Sequence, residues 1–370
     1  MPSTNPPIFI LGEARGGQEE KIDSCFVGPS GVELLRMLHD ASIISLTGRD
    51  RDCLSQYYHT NDPKYIATIW TQHPEVYRTN VFQFHPPNND ITTICGPKSS
   101  ALGGYPPLAK SKYVIAKHEP EFNRLIDELT TIDPNIVICL GNTALWALTG
   151  HTAITKYRGT TLSSTHTIAG FKLIPTYHPA AILRQWENRP TLVADLIKAK
   201  KESTHADIRR PQRAIHIEPS LDDIAQFFAT HCRGCEILSV DIETAGSRVT
   251  CIGFAPRADL AIVIPFDDKR SATGSYWPSG ADEARAWRLI TDILHDPTIP
   301  KLFQNGMYDI AFLYRAYGIR TFGAAEDTML LHHALQPEAL KGLGYLGSIY
   351  SNEAAWKHMR VKHETIKRDD

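Results

Sequence analysis

Apolar residues in the first half of the chain fall into short unbroken runs separated by stretches of helical spacing. Ile8 to Leu11 is one run, followed by a glycine-containing loop and a helical pattern over Val32 to Leu38. Val76 to Phe84 is the next strand candidate. Phe122, Leu125, Ile126 and Leu129 mark one face of a helix that Asp133-Pro134 ends. Ile136 to Leu140 reads as a strand buried on both sides, and Lys172 to Thr176 as the fourth. Strands alternating with helices predict an α/β fold, a parallel sheet covered on both faces, with ligands at the carboxyl ends of its strands.

The rhythm breaks near residue 202, where the chain turns polar and basic without periodicity, and a β-rich pattern follows. Ile237 to Val240, Val249 to Phe254 and Ala261 to Ile264 predict strands, with helical spacing from Ala281 onward. A length of 370 residues suits two domains. The division expected is 1–203, a basic linker 204–214, and a mixed β-then-α domain 215–370.

Composition changes this picture little. Hydrophobic residues at 42% and charged residues at 22% describe a soluble globular chain that can fill two cores. No apolar run is long enough for a membrane and no leader precedes Ile8, so a cytoplasmic site, in a bacterium or a phage-infected host, is expected. Seven cysteines without regular spacing fit a reducing compartment. A net charge of −2 excludes a protein that coats nucleic acid with its whole surface. Local patches remain: Lys198, Lys200, Lys201, Arg209, Arg210 and Arg213 form either a solvated linker or a phosphate-contacting stripe.

Four clusters fall at predicted strand ends: Gly12-Glu13-Ala14-Arg15-Gly16, Phe26-Val27-Gly28, Asn80, and Tyr177-His178-Pro179. Each alone is a weak signal, a glycine loop after a strand being usually just a tight turn; their order and placement together are far more specific. Together they resemble the uracil-DNA glycosylase superfamily, especially its fourth family, over roughly residues 8 to 200. The segments "LGEARGGQEE", "FVGPSGVELL", "TNVFQFHPP", "NIVICLGNTALWAL" and "YHPAAILR" stand in the family's order. The resemblance implies a three-layer α/β/α glycosylase fold and DNA as partner, its target base flipped into a pocket. Phe26 would stack on the base, with Gly12 and Ala14 beside it. Asn80, donor and acceptor at once, would read the uracil edge and reject cytosine. Cleavage develops a cationic sugar and an anionic base, so His178 and loop amides would donate to the uracil oxygen. Glu13 and Glu19, ahead of Glu20, would supply the carboxylate near sugar or water. Ile182 or Leu183 would be an apolar wedge in the DNA stack, or ordinary helix-start residues packing inward.

Two departures from that family stand out. Its iron-sulfur cluster needs four cysteines, yet no Cys precedes Ile8, and the cysteine of Asn-Val-x-x-Cys is Phe84 here. Cys25, Cys53, Cys95 and Cys139 lack cluster spacing, so no iron-sulfur centre and no other cofactor is expected for this domain. Arg15 stands where the family's loop has proline.

In the second half, "LSVDIETAG" puts Asp241 and Glu243 on one face of a strand end, a placement suited to metal. "FQNGMYDIAFL" puts Asp309 on a helix one turn after Asn305. The pair resembles the first two motifs of the DEDD exonucleases, in the form found in the proofreading domain of bacteriophage family A DNA polymerases. That implies a ribonuclease H-like fold and two divalent ions, Mg2+ or Mn2+, held by four carboxylates. The third motif, Tyr-x-x-x-Asp or His-x-x-x-x-Asp, does not follow Asp309, and Asp327 reads as structural, so the fold is expected to be incomplete. Either a separately encoded polymerase subunit completes the site or the chain is a fragment. The function expected is hydrolysis of the N-glycosidic bond of uracil in DNA, coupled to an exonuclease-like domain. The alternative is a phage polymerase fragment whose proofreading half acts and whose front half only binds DNA.

Overall fold

The computed structural model describes residues 7–351. Its contacts divide the chain into two units, one built from Met1–Arg209 together with Gly344–Asp370 and the other from Arg210–Leu343. The division at Arg209 and Arg210 falls in the basic stretch, and residues 344–351 group with the first unit.

The first unit is built on a sheet of five strands: β1 (Ile8–Ala14), β2 (Val76–Phe82), β5 (Ile136–Leu140), β6 (Leu162–Ser163) and β7 (Lys172–Thr176). Their order is β2-β1-β5-β7-β6; all neighbours are parallel except the short edge strand β6. A small antiparallel ribbon, β3 (Cys95–Gly96) with β4 (Tyr113–Val114), stands apart from it. The four long strands are the four predicted ones. Alternation along β1 explains the layering: Ile8 and Ile10 join a core on one face, Phe9 and Leu11 a core on the other. Helix Pro29–Asp40, started by a proline in its first turn, buries Val32, Leu34, Leu35 and Leu38. Helix Glu119–Ile132 ends where Asp133 turns left-handed and its N–H returns to the Leu129 carbonyl.

Lys198 does not belong to a solvated basic patch. It lies on helix Arg189–Glu202, is buried, and donates to the Gly159 carbonyl at 2.6 Å. Helical spacing turns it inward beside Leu192, Asp195 and Ala199, whereas Lys200, Lys201, Arg209, Arg210 and Arg213 stay exposed. The stretch after the helix is also less free than its composition predicts. Buried Lys172 donates to the carbonyls of Glu202, His205 and Asp207 at 2.8, 2.6 and 3.1 Å.

The second unit has a six-stranded mixed sheet. Its strands are β8 (Ala214–Ile217), β9 (Leu238–Ala245), β10 (Arg248–Arg257), β11 (Leu260–Pro265), β12 (Lys301–Phe303) and β13 (Ala324–Asp327), in the order β13-β12-β9-β10-β11-β8. The antiparallel β9-β10-β11 meander is the part the sequence pattern predicts; β8, β12 and β13 add parallel edges. Helices Gly280–His295 and Gly306–Tyr317 pack Ile290, Ile293, Leu294 and Leu313 into one core with Val240, Ile242, Ile252 and Ile262. Among the described residues, no helix is long and apolar enough to cross a membrane.

Candidate active site

At the carboxyl end of the first sheet, β1 and β2 pair so that Gly12 faces Asn80 across the ladder. The loop after helix Gly17–Ile22 brings Phe26 into the same corner. A Cβ on Gly12 would lie 2.6 Å from the Phe26 ring and closer still to Asn80 Oδ1, so only glycine lets the two side chains meet. Gly31 serves the other side: a Cβ there would overlap the Phe26 carbonyl. Phe26 is held with a left-handed φ of 55°, and its carbonyl accepts the Trp70 indole N–H at 2.8 Å. Strain at one residue is thus carried by a buried partner.

Asn80 is buried, and its backbone is fixed by Arg124, which donates to the carbonyls of Asn80 and Val81 at 2.8 and 3.0 Å. The side-chain amide is not so satisfied. Asn80 Nδ2 is buried without a hydrogen-bond partner among the described residues, a costly condition for a protein interior and one a ligand would relieve. Ala14, Glu19, Phe26, Asn80 and His178 line one cavity of about 220 Å³.

His178 caps the short helix Pro179–Ile182: its Nδ1 accepts the Ala180 N–H at 3.2 Å. That bond leaves the proton of the neutral ring on Nε2. Burial, with Arg184 adding to it, pushes the imidazole down to about 4, so it is neutral at pH 7. The ring stands 6.3 Å from that of Phe26.

The two acids occupy different places. Glu19 is buried and accepts the Gly16 N–H at 2.6 Å; burial raises its carboxyl, and the amides of Gly16, Phe26 and Val27 pull the other way. Glu13, the alternate residue of β1, points away from Gly12 and accepts the Thr143 hydroxyl. Burial raises it too. It does not line the cavity. Of the two wedge candidates, Ile182 is fully buried in the core with Leu192 and Leu196, so it cannot enter a DNA stack, whereas Leu183 is half exposed. Gln18, Ser30 and Asn89 also line the cavity. Gln18 and Ser30 stand next to the recognised motifs; Asn89 ends a single 3-10 turn, Pro87–Asn89, that carries no hydrophobic pattern.

Arg15, in the family's proline position, is anchored by Asp23 and donates to Gln83 at 2.7 Å. Phe84, in the family's cysteine position, stacks on His118 with ring centroids 5.3 Å apart and packs against Phe82. Cys25 lies in a loop, Cys53 on helix Gly48–Thr60, Cys95 on β3 and Cys139, fully buried, on β5, and among the described residues no three His, Cys, Asp or Glu side chains come together as a metal site. These residues do not fit a four-cysteine cluster.

In the second unit Asp241 and Glu243 alternate along β9 with buried Val240 and Ile242, and so share the exposed face. Asp309, on helix Gly306–Tyr317, is buried and accepts the Ile242 N–H at 3.0 Å. Burial, with Asp241 adding to it, pushes its carboxyl up to about 6. All three are hard oxygen donors, suited in kind to Mg2+ or Mn2+. Among the described residues, no three such side chains converge as a ready cation cage. Asp327 accepts the amides of Asn305, Gly306 and Met329 at 3.1, 2.8 and 2.8 Å, tying two helix starts together. Burial acts upward on it, and these amides prevail and hold it down.

Comparison with known proteins agrees with both halves. The description Uracil DNA glycosylase superfamily matches residues 1–201, and that of a 3′-5′ exonuclease of DNA polymerase A matches residues 219–364. The type-4 uracil-DNA glycosylase of Thermotoga maritima is 28% identical over 197 residues, 52% of this chain and 76% of that protein. The DNA polymerase of Bacillus phage SP01 is 23% identical over 235 residues, 55% of this chain and only 24% of the polymerase. Among solved structures, Escherichia coli RNase D is 17% identical, covering 41% of this chain and 36% of that one with a TM-score of 0.30. The chain belongs to the uracil DNA glycosylase superfamily, and a 3′-5′ exonuclease domain of the DNA polymerase A type follows its glycosylase domain.

Proposed function

We propose that the first unit hydrolyses the N-glycosidic bond of uracil flipped out of DNA. The observation that carries this reading is the buried, unpartnered amide of Asn80 beside the Phe26 ring and a neutral His178. A planar base between these groups finds a stacking face, an edge reader and an Nε2–H donor at its carbonyl oxygen. As the C1′–N1 bond breaks, the electron pair stays on the base and the sugar becomes cationic. Glu19, facing the cavity, is placed to stabilise that cation. Water adds at C1′, and its proton leaves to solvent or to a carboxylate, for which Glu13 stays a candidate. Leu183, half exposed after the His178 turn, is the remaining wedge candidate. The test is incubation of the chain with uracil-containing single- and double-stranded oligonucleotides: alkali-labile abasic sites form, and thymine controls give none. No abasic sites at enzyme excess would sink the reading.

A second reading concerns the other unit. Asp241, Glu243 and Asp309 would hold a divalent ion, which supplies charge stabilisation at a phosphodiester, and a separately encoded polymerase subunit would supply the fourth carboxylate. Asp309 accepts the N–H of Ile242, the residue between Asp241 and Glu243 on β9, and this supports the reading. Mn2+ is expected to raise the melting temperature of this unit in the full chain, and Asp241→Ala to abolish the rise. An equal rise in the variant would count against a metal site here.

A further inference from the structure

Three consecutive residues lead into His178, and each is held by one buried polar network. The Pro175 carbonyl accepts the Gly159 N–H at 2.8 Å. The Thr176 hydroxyl donates to Asp195 Oδ2 at 2.6 Å. The Tyr177 ring lies under the Arg158 guanidinium, 6.0 Å from its carbon. Arg158 itself grips Asp195 with Nε at 2.9 Å and with Nη2. Arg158 and Asp195 are almost wholly buried.

The network does not close within residues 1–209. Its remaining contacts come from the stretch of chain that returns after residue 343. Arg158 Nη1 donates to the Ser348 hydroxyl at 2.8 Å, and the guanidinium stacks over the Tyr345 ring at 5.2 Å. The Tyr345 and Thr191 hydroxyls share a hydrogen bond at 2.8 Å. Lys198 Nζ donates to the carbonyls of Gly159 and Ser351, both at 2.6 Å. Gly159, at a φ of +69°, leaves the space: a Cβ there would lie 2.5 Å from Asp195 Oδ1 and 3.0 Å from the Ser348 carbonyl. The sequence of this stretch falls inside the match to the exonuclease family, which runs to residue 364. Its side chains are nonetheless committed to the glycosylase unit.

We propose that Tyr345 and Ser348 are positioning residues for the glycosylase reaction, acting through Arg158 to set the turn that carries His178. The inference rests on the glycosylase reading for its rate consequence, not for its structural one. Arg158 lies against the rings of both Tyr177 and Tyr345 and is hydrogen-bonded to Asp195 and Ser348, so the return segment supplies part of what fixes its orientation. Removing Tyr345 and Ser348 leaves the guanidinium held by Asp195 alone, free to tilt about that pair, and Tyr177 follows it. The backbone at residue 178 and the bond from Ala180 N–H to His178 Nδ1 shift with it. The donor is then misplaced while the base-binding corner of Gly12, Phe26 and Asn80 is untouched.

The experiment uses the full chain, with a Tyr345→Ala/Ser348→Ala double variant and a Tyr345→Phe variant that keeps the ring over Arg158. Single-turnover rate and affinity for a uracil oligonucleotide are measured together with the imidazole 15N signals of His178. The double variant is expected to lose about tenfold or more in rate at unchanged affinity. Its His178 Nε2–H signal should shift, and Tyr345→Phe should stay near the parent in both. If the double variant does not fold, Ser348→Ala alone carries the same readouts. Unchanged 15N signals and rate would overturn the inference. So would a loss that falls equally on affinity, or that Tyr345→Phe shares in full, since either marks general loosening. Should the parent release no uracil, the glycosylase reading fails, and the 15N signals alone decide whether the return segment sets the His178 turn.

Discussion

Asn80→Ala is expected to lower kcat/KM for uracil release by on the order of a thousandfold while leaving the fold in place. The side chain shares the space over Gly12 with the Phe26 ring, and its Nδ2 donates to none of the described residues. Truncation therefore deletes a reader of the base without orphaning a partner. Removing an unsatisfied buried group costs the native state little, so the melting temperature should move by only a few degrees. The backbone of residue 80 stays fixed because Arg124 binds carbonyls, which the substitution does not alter. A variant that retains parental kcat/KM, or one that melts far below the parent, would show that Asn80 is part of the scaffold rather than the reader.

The other large effect is at His178. His178→Ala should cost about a hundred- to a thousandfold in kcat with KM little changed, since a donor aimed at developing charge acts mainly in the transition state. The parent's pH profile should be flat through neutrality and fall only as pH drops through about 4, where the ring protonates. An unfolded histidine titrates near 6.5. The folded value lies below it, so between the two the unfolded chain binds more protons. The stabilising contribution is fully present above about pH 6.5 and is lost as pH falls toward 4. An acid limb centred near pH 6.5 would mean that the histidine is solvated and that this account of its protonation is wrong.

How much of this could be read from residues alone varied with burial. The four long strands of the first sheet were legible because each is an unbroken apolar run covered on both faces. Asn80 and His178 are brought together because they lie at or just after strand ends, on the carboxyl side where a parallel sheet binds ligands, and the loop carrying Phe26 joins them there. Glu13 was not separable from Glu19 in sequence; its partner Thr143 lies far along the chain and gives no local signal. Ile182 and Leu183 differ by one position, and only the packed helix start decides which points inward. In the second unit, β12 and β13 are short and include Lys301, Glu326 and Asp327, so hydrophobic pattern does not mark them. Strand β8 is exposed throughout and merges with the basic stretch before it. The return of Tyr345 and Ser348 to the first unit was invisible, because "GLGYLGSIY" has the character of the exonuclease region that precedes it.

That return has a consequence for how the protein is made. Ribosomes deliver chain from the N-terminus, and the first unit has its sheet once residue 209 has emerged, but Ser348 follows only after residues 210–343. At ordinary elongation rates that delay is on the order of ten seconds. During it, Arg158, Asp195 and Lys198 lack the groups that later cover them. If the return segment sets the His178 turn as proposed, a nascent or prematurely terminated chain would keep its base-binding corner but cleave about tenfold more slowly. Full rate would then be reached only on molecules whose second unit has already been translated.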